Sequence, residues 1–344
     1  MLFRRTCVFA AALLCAAPAM AQVFEPGRWE PMGPSPVDQA GAGRRGYAMA
    51  VEGADVTDPH ANQVTFHMVG ANNFYIENSG AFEMTQRSET HTLAFEYRRG
   101  FKPSGFPHFE IGAQIQIDET DAGMLNGFIS GFEDMVNRPL RSKTAPPPLG
   151  TSIALNGRQL YAAPATGSGM GDVSFVMKAA LRDADKTSND TRVSARLVAN
   201  LSGASRFTEG NFVGAGLSMD RKLGGWFALH GDIRGNVNLD RVSAWGLPLS
   251  RGVFGFSLGP EMKITQNNSL NLQWDGSTSP YLPAGFPSID AGYGDVVLGV
   301  NHRFVRASRL VVAQFYAREN MMLPFSVRWN TDPDFALGFK LTVH

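Results

Sequence analysis

Phe335-Ala-Leu-Gly-Phe-Lys-Leu-Thr-Val-His344 ends the chain, with Phe335, Leu337, Phe339, Leu341 and Val343 at alternate positions and Ala336, Gly338, Lys340 and Thr342 between them. Side chains point to opposite faces at successive strand positions. The last residues therefore read as a β-strand with one wholly apolar face, running to the end of the sequence.

The same period of two recurs upstream. Phe109, Ile111, Ala113, Ile115 and Ile117 oppose His108, Glu110, Gln114, Gln116 and Asp118. Val173 to Leu181, Val193 to Leu201, Phe227 to Val237 and Val296 to Phe304 repeat it, each with an apolar face and a charged face and with Gly, Pro, Asn or Asp between segments. A soluble sandwich and a membrane barrel both produce this pattern. Sandwich strands average about five or six residues, whereas these run to roughly nine to twelve, the length a tilted strand needs to cross a bilayer. The reading is an all-β, transmembrane antiparallel β-barrel of about 12 strands. It becomes 14 if Tyr47 to Val51 and the weakly alternating Leu310 to Arg318 both belong. Glycines within the strands, among them Gly112, Gly214, Gly216, Gly259 and Gly299, suit a strongly curved sheet. The Gly338-x-x-Leu341-x-Val343 spacing of the last strand resembles the signal by which bacterial assembly machinery recognises outer-membrane barrels. His344 stands where an aromatic residue is usual.

The other end of the chain agrees with that location. Arg4 and Arg5 precede an apolar run from Cys7 to Ala17, and Ala19-Met20-Ala21 precedes Gln22. This is the pattern of a secretory signal peptide over residues 1–21, too short for a membrane helix, with a single barrel domain over 22–344. Both cysteines, Cys7 and Cys15, fall in the segment to be removed, so thiol chemistry and disulfides are excluded from the rest. Of the 31 basic residues, loss of Arg4 and Arg5 leaves 29 against 31 acidic ones, and no charge excess points to nucleic acid. The partners expected are outer-membrane lipid, the assembly machinery and a small-molecule cargo.

Three segments interrupt the alternation. Glu25 to Gly43, rich in Pro and Gly, reads as an extended lead or as a segment tucked into the barrel. Asp121 to Val136 has helical spacing, with Met124, Leu125, Phe128, Ile129, Phe132, Met135 and Val136 on one side and Asp121 as its N-cap. Arg138 to Gly150 then carries Pro139 and Pro146-Pro147-Pro148, which end any helix or central strand. The expectation is one amphipathic helix in a long loop over about 121–150, with Phe128, Ile129 and Phe132 available to plug or gate the lumen.

The helical stretch, Gly123-Met-Leu-Asn-Gly-Phe-Ile-Ser-Gly-Phe-Glu-Asp-Met-Val-Asn-Arg-Pro139, resembles the signature of an uncharacterised bacterial outer-membrane family, domain of unknown function 3187. Pro26-Gly27-Arg28-Trp29-Glu30, Gly167-Ser-Gly-Met-Gly-Asp172, Arg318-Glu319-Asn320 and Thr331-Asp-Pro-Asp-Phe335 are similar to the same family. The resemblance implies an outer-membrane barrel in a Gram-negative bacterium and brings no activity, substrate or catalytic residue with it.

Motifs for chemistry are sparse. None of the seven histidines is followed two residues later by serine, which disfavours a barrel phospholipase. Asp58-Pro59-His60 and Asp183-Ala184-Asp185 have the residue types of a barrel protease but lie in polar turns, where Asp and Pro are ordinary. Asp183, Asp185, Asn189 and Asp190 lack the glycine and glutamate of an EF-hand. Gly167-Ser-Gly-Met-Gly171 reads as a turn, since it precedes a strand and has no phosphate-loop lysine. No catalytic residue, cofactor or metal is expected. The candidate residues are the charges on the inner faces: Glu110, Lys178, Arg182, Arg192, Arg196, Asp232, Arg234, Asp295 and Arg303. They line a polar channel or carrier, or they close a structural barrel through salt bridges; the third alternative is a hydrolase acting on lipid or envelope material through the Asp and His turns.

Overall fold

The computed structural model describes residues 29–36, 49–78, 80–121, 149–164, 166–182, 191–203, 210–243, 246–282, 292–306, 309–320 and 335–344. Among the described residues fourteen antiparallel strands form one sheet: β1 (Asn62–Asn78), β2 (Phe82–Phe101), β3 (Phe109–Asp121), β4 (Gly150–Leu155), β5 (Arg158–Ala163), β6 (Gly167–Arg182), β7 (Thr191–Leu201), β8 (Phe212–Lys222), β9 (Phe227–Asn238), β10 (Gly252–Lys263), β11 (Asn268–Ser277), β12 (Tyr293–Arg306), β13 (Arg309–Asn320) and β14 (Phe335–Val343). Twelve of them close a ring, because β1 pairs both with β2 and with β14, where Val64 meets Val343 and Asn72 meets Phe335. Closure gives every ring strand two hydrogen-bonded neighbours, which is what allows a sheet to cross lipid.

The remaining two strands, β4 and β5, form a hairpin. Its turn is Asn156-Gly157, whose φ values of 51° and 74° are the left-handed pair a two-residue hairpin turn demands. β3 pairs with β2 up to Asp121 opposite Glu89, and β4 resumes beside β2 from Gly150 opposite Arg87. The long insertion after Asp121 therefore interrupts one wall of the barrel, and the hairpin continues that wall.

Strand connectivity sets the orientation. At one end the connections are 102–108, 183–190, 223–226, 264–267 and 307–308, and the chain's last strand finishes there. At the other they are 79–81, 122–149, 156–157, 164–166, 202–211, 239–251, 278–292 and 321–334, which include all the connections longer than eight residues. In outer-membrane barrels the periplasmic turns are short and the external loops longer; on that pattern the second end is termed the outer one.

Polarity is inverted relative to a soluble domain. Leu217, Ile233, Leu258, Leu298 and Phe315 point outward and are 45–57% exposed, while Arg196, Asp232, Arg234 and Asp275 point inward and are at most 3% exposed. This contrast, with the closed ring, eliminates the sandwich. It also predicts that Leu217→Arg, a charge placed on the lipid face, lowers stability by about 2–4 kcal/mol if the residue lies near the midplane, measurable by urea unfolding from liposomes. An unchanged midpoint would place this band outside the membrane.

Several expectations need correction. Leu310 to Arg318 belongs to β13, but Met49–Val51 is not a strand and runs through the barrel interior, with Met49 and Val51 buried. Gly167 to Gly171 is not a turn but the start of β6, and a side chain at Gly171 would collide with the Asp118 carboxylate. No helix occurs among the described residues. The expected helix, including Phe128, Ile129 and Phe132, lies outside them, and Asp121, expected as its N-cap, is instead the last residue of β3.

Candidate functional site

The site is the lumen, and its contents come from the N-terminal side of the chain. Residues 29–36 and 49–58 have no strand partner in the ring and run inside it, where Trp29, Ser35, Met49, Val51, Ala54 and Thr57 are each at most 4% exposed. A non-repetitive segment buried in this way must find partners for its backbone groups. It finds them on the barrel wall.

One side of the wall receives residues 29–36. Glu261 on β10 accepts the amide hydrogens of Met32 at 3.0 Å and Gly33 at 3.2 Å. Behind it His230 joins Glu261, at 2.8 Å, to Asp220, at 2.7 Å, and Asp220 in turn accepts the amide of Ala54 at 2.7 Å. Asn271 and Gln314 donate to the carbonyls of Gly33 and Pro34, and Lys222 donates to that of Trp29.

The other side receives residues 49–58. Glu52 lies 2.8 Å from Arg98 and 3.3 Å from both Lys178 and Arg196. Arg98 also binds Glu110 at 2.6 Å, and Glu110 accepts the amide of Thr57 at 2.6 Å. Lys178 donates to the carbonyl of Asp55, Arg196 to that of Ala50, and His108 meets that of Thr57. Arg192, nearer the inner rim, reaches Glu30 at 3.4 Å and Asp55 at 3.2 Å, tying both halves of the segment to one side chain.

The wall leaves room for this segment. A side chain on Gly214 would strike the Met49 sulfur, and one on Gly299 would strike the Ser35 hydroxyl. At these two positions the glycines serve close approach of a second piece of chain, a reason distinct from the sheet curvature expected of them.

Burial by itself would push the Glu52 carboxyl up, but Arg98, Arg196 and Lys178 outweigh it and hold it well below its ordinary value of 4.5. A carboxylate depressed in the assembled state contributes fully above its unperturbed value and loses that contribution as pH falls through the lowered one. Retention of the segment is therefore expected to stay constant from about pH 8 to about pH 5 and to fail only in stronger acid. Bilayer current recorded against pH checks this; a transition near neutrality would contradict it.

The expected lumen residues separate into groups. Glu110, Lys178, Arg192 and Arg196 hold the internal segment. Asp232 takes Arg196 and Arg234, each at 3.1 Å, and Arg234 continues to Asp275 at 2.6 Å. Asp295 faces Arg318 at 3.7 Å, and Arg303 donates to the carbonyl of Gln266 near the inner rim. Arg182 is different: the register shifts after Ala180, so Arg182 pairs with Val193, one of the outward apolar set, and is exposed. Asp58 and His60 form an exposed turn in which the Asp58 carbonyl accepts the amide of Ala61, and Asp183 and Asp185 lie outside the described residues. Sequence reasoning missed Glu52, Arg98, Asp220, Glu261 and Asp275. All but Glu52 occupy inward positions of alternating strands and were within reach of that signal; Glu52 sits in an aperiodic segment and carries none.

At the outer mouth the chemistry changes. Phe82 and Met84 on β2, with Ile153 on β4, pack against Leu247, Leu249, Val253 and Tyr281 from β10 and the connections beside it. β2 and β10 are six places apart in the ring of twelve, directly opposite. An apolar cluster thus spans the mouth above a charged interior.

No family model and no curated protein matches the chain. Among solved structures it is similar to the COG4313 outer membrane channel from Pseudomonas putida F1, at TM-score 0.54 and 10% identity over 85% of this chain and 98% of that one. A FadL homologue of Pseudomonas aeruginosa (TM-score 0.41, 10% identity, 92% of this chain and 99% of that one) and the P. putida toluene transporter TodX (0.39, 9%, 83% and 89%) are further neighbours. At 10% identity the likeness to the first of these is one of fold. The closed ring, the apolar outer face and the polar interior define a transmembrane β-barrel of the bacterial outer-membrane type.

Proposed function

We propose that the chain is a non-enzymatic outer-membrane channel or carrier for small molecules, closed in this structure by residues 29–36 and 49–58. The observation that carries this reading is the division of labour in the lumen. A barrel closed for structural reasons alone can be filled by its own wall side chains, whereas here Gly214 and Gly299 leave space that a separate segment occupies. That segment is held by hydrogen bonds and ion pairs, which exchange. The gating element proposed is thus the N-terminal segment in place of the expected helix. The apolar cluster over a polar interior favours amphipathic cargo, since a molecule with both characters can be accommodated in each zone.

Export by residues 1–21, assembly through β14 and membership of the family known as domain of unknown function 3187 belong to the same proposal, supported by the sequence features given above. A structural envelope barrel is the second reading, favoured by the buried ion pairs Arg98–Glu110, Arg196–Asp232 and Arg234–Asp275 on the wall. Liposome swelling separates the two. Proteoliposomes carrying the full chain are expected to admit small amphipathic solutes faster than sugars of equal size. No solute entry, from wild type or from variants that loosen the internal segment, would remove the channel reading and leave the structural one.

A further inference from the structure

The outward column of β2 runs Tyr97, Phe95, Leu93 and then His91 and Glu89; that of β3 runs Ile115, Ile117 and then Glu119 and Asp121. The change from apolar to ionisable marks the outer edge of the apolar band on these two strands. Glu89 faces Asp121 in the last β2–β3 rung before the wall is interrupted, and His91 is two residues along the same face.

We infer that Glu89, His91 and Asp121 form a binding site for a first-row transition-metal ion of the zinc class, at the outer edge of the barrel. His91 Nε2 is 3.4 Å from Asp121 Oδ2 and 3.8 Å from Glu89 Oε2, and the three donor atoms all lie within 4.8 Å of one another. A tetrahedral ion with bonds of about 2.0–2.2 Å separates its ligand atoms by about 3.4 Å. Small side-chain adjustments would close the set. Glu89 is fully buried, His91 is 17% exposed and Asp121 45% exposed, so the site has a buried floor and a way in past Asp121.

A second observation points to a ligand. Asn72 on β1 stands directly across from Glu89 on the same face and is 1% exposed. Neither its Oδ1 nor its Nδ2 has a hydrogen-bond partner among the described residues. A buried amide needs a partner, and its oxygen is of the type that completes a mixed oxygen and nitrogen coordination set. The imidazole decides the metal class, because calcium and magnesium sites are built from oxygen alone while imidazole with carboxylate suits zinc and its neighbours. The ion would join β2 to β3 at the rung where β3 ends and the hairpin takes over.

The test uses the full, untagged chain in detergent, stripped with chelator and titrated with Zn2+ by calorimetry, with Co2+ as a spectroscopic probe. One ion per chain is expected, with the visible absorption of a low-coordinate Co2+ site. In His91→Ala and Asp121→Asn the affinity should fall by more than about tenfold, since even changes to groups behind metal ligands cost roughly 10- to 100-fold. Heat-modifiable gel mobility confirms that each variant is folded, and Asp121→Asn, on a half-exposed side chain, serves if His91→Ala does not fold. Absence of saturable binding by wild type would overturn the site and leave His91 as a side chain packed between two carboxylates; binding unchanged in the folded variants would also overturn it.

Discussion

Glu52→Lys is expected to open the barrel. In the closed structure Glu52 is the anion among Arg98, Lys178 and Arg196, at 2.8, 3.3 and 3.3 Å. The substitution removes that anion and sets a fourth cation against the three. Breaking one buried ion pair costs about 3–5 kcal/mol, and each 1.4 kcal/mol is a factor of ten in an equilibrium. The balance between seated and displaced segment should therefore shift by roughly a hundredfold to a few thousandfold. The barrel wall keeps its own pairs, including Arg98 with Glu110 and Arg196 with Asp232, so folding is preserved. In planar bilayers the variant should show sustained conductance where wild type is mostly closed, with Glu52→Gln between them. A folded variant with wild-type conductance would refute the gating role of residues 49–58.

The second large effect concerns the wall itself. Asp232 accepts from Arg196 and Arg234 and also from Ser218, at 2.9 Å, with all four groups buried. Asp232→Ala leaves two guanidinium groups facing each other in the interior, Arg234 retaining Asp275 and Arg196 retaining Glu52. A loss of about 3–5 kcal/mol in barrel stability is expected. Asp232→Asn, which keeps the shape and part of the hydrogen bonding, should lose less. Urea midpoints for folded protein in lipid or detergent check the order; equal stability of all three forms would show that the wall pairs contribute nothing net.

The barrel was legible in the sequence because a wall strand carries its address in alternation. Every second residue faces lipid, so Leu217, Ile233 and Leu298 announce the outer face and Arg196, Asp232 and Arg234 the inner one. The same rule fails where register shifts: the irregularity after Ala180 sends Arg182 outward, and no feature of composition marks it. The internal segment was legible only as an absence of period. Its role depends on long-range pairing, Glu52 with Arg98 or Met32 with Glu261, between residues whose separation in sequence gives no local pattern. The glycines that receive it looked like curvature, since a glycine reserved for a neighbour and one reserved for a bend are identical in sequence. The metal cluster was invisible for a related reason: Glu89 and His91 are close in sequence, but Asp121 reaches them only through the β2–β3 register.

Occlusion of the lumen by residues 29–36 and 49–58, and their movement to open it, is tested most directly by locking the first of them in place. A Cβ on Gly299 would overlap the Ser35 hydroxyl, so the two positions stand side by side and a small shift would bring cysteines there into disulfide range, and cysteines occur in the sequence only at Cys7 and Cys15. Ser35→Cys with Gly299→Cys, combined with Glu52→Lys, gives a barrel that a disulfide can hold shut. Single-channel recording is predicted to show silence under oxidising conditions and conductance after reduction. Equal conductance in both conditions, with the disulfide verified, would contradict the account.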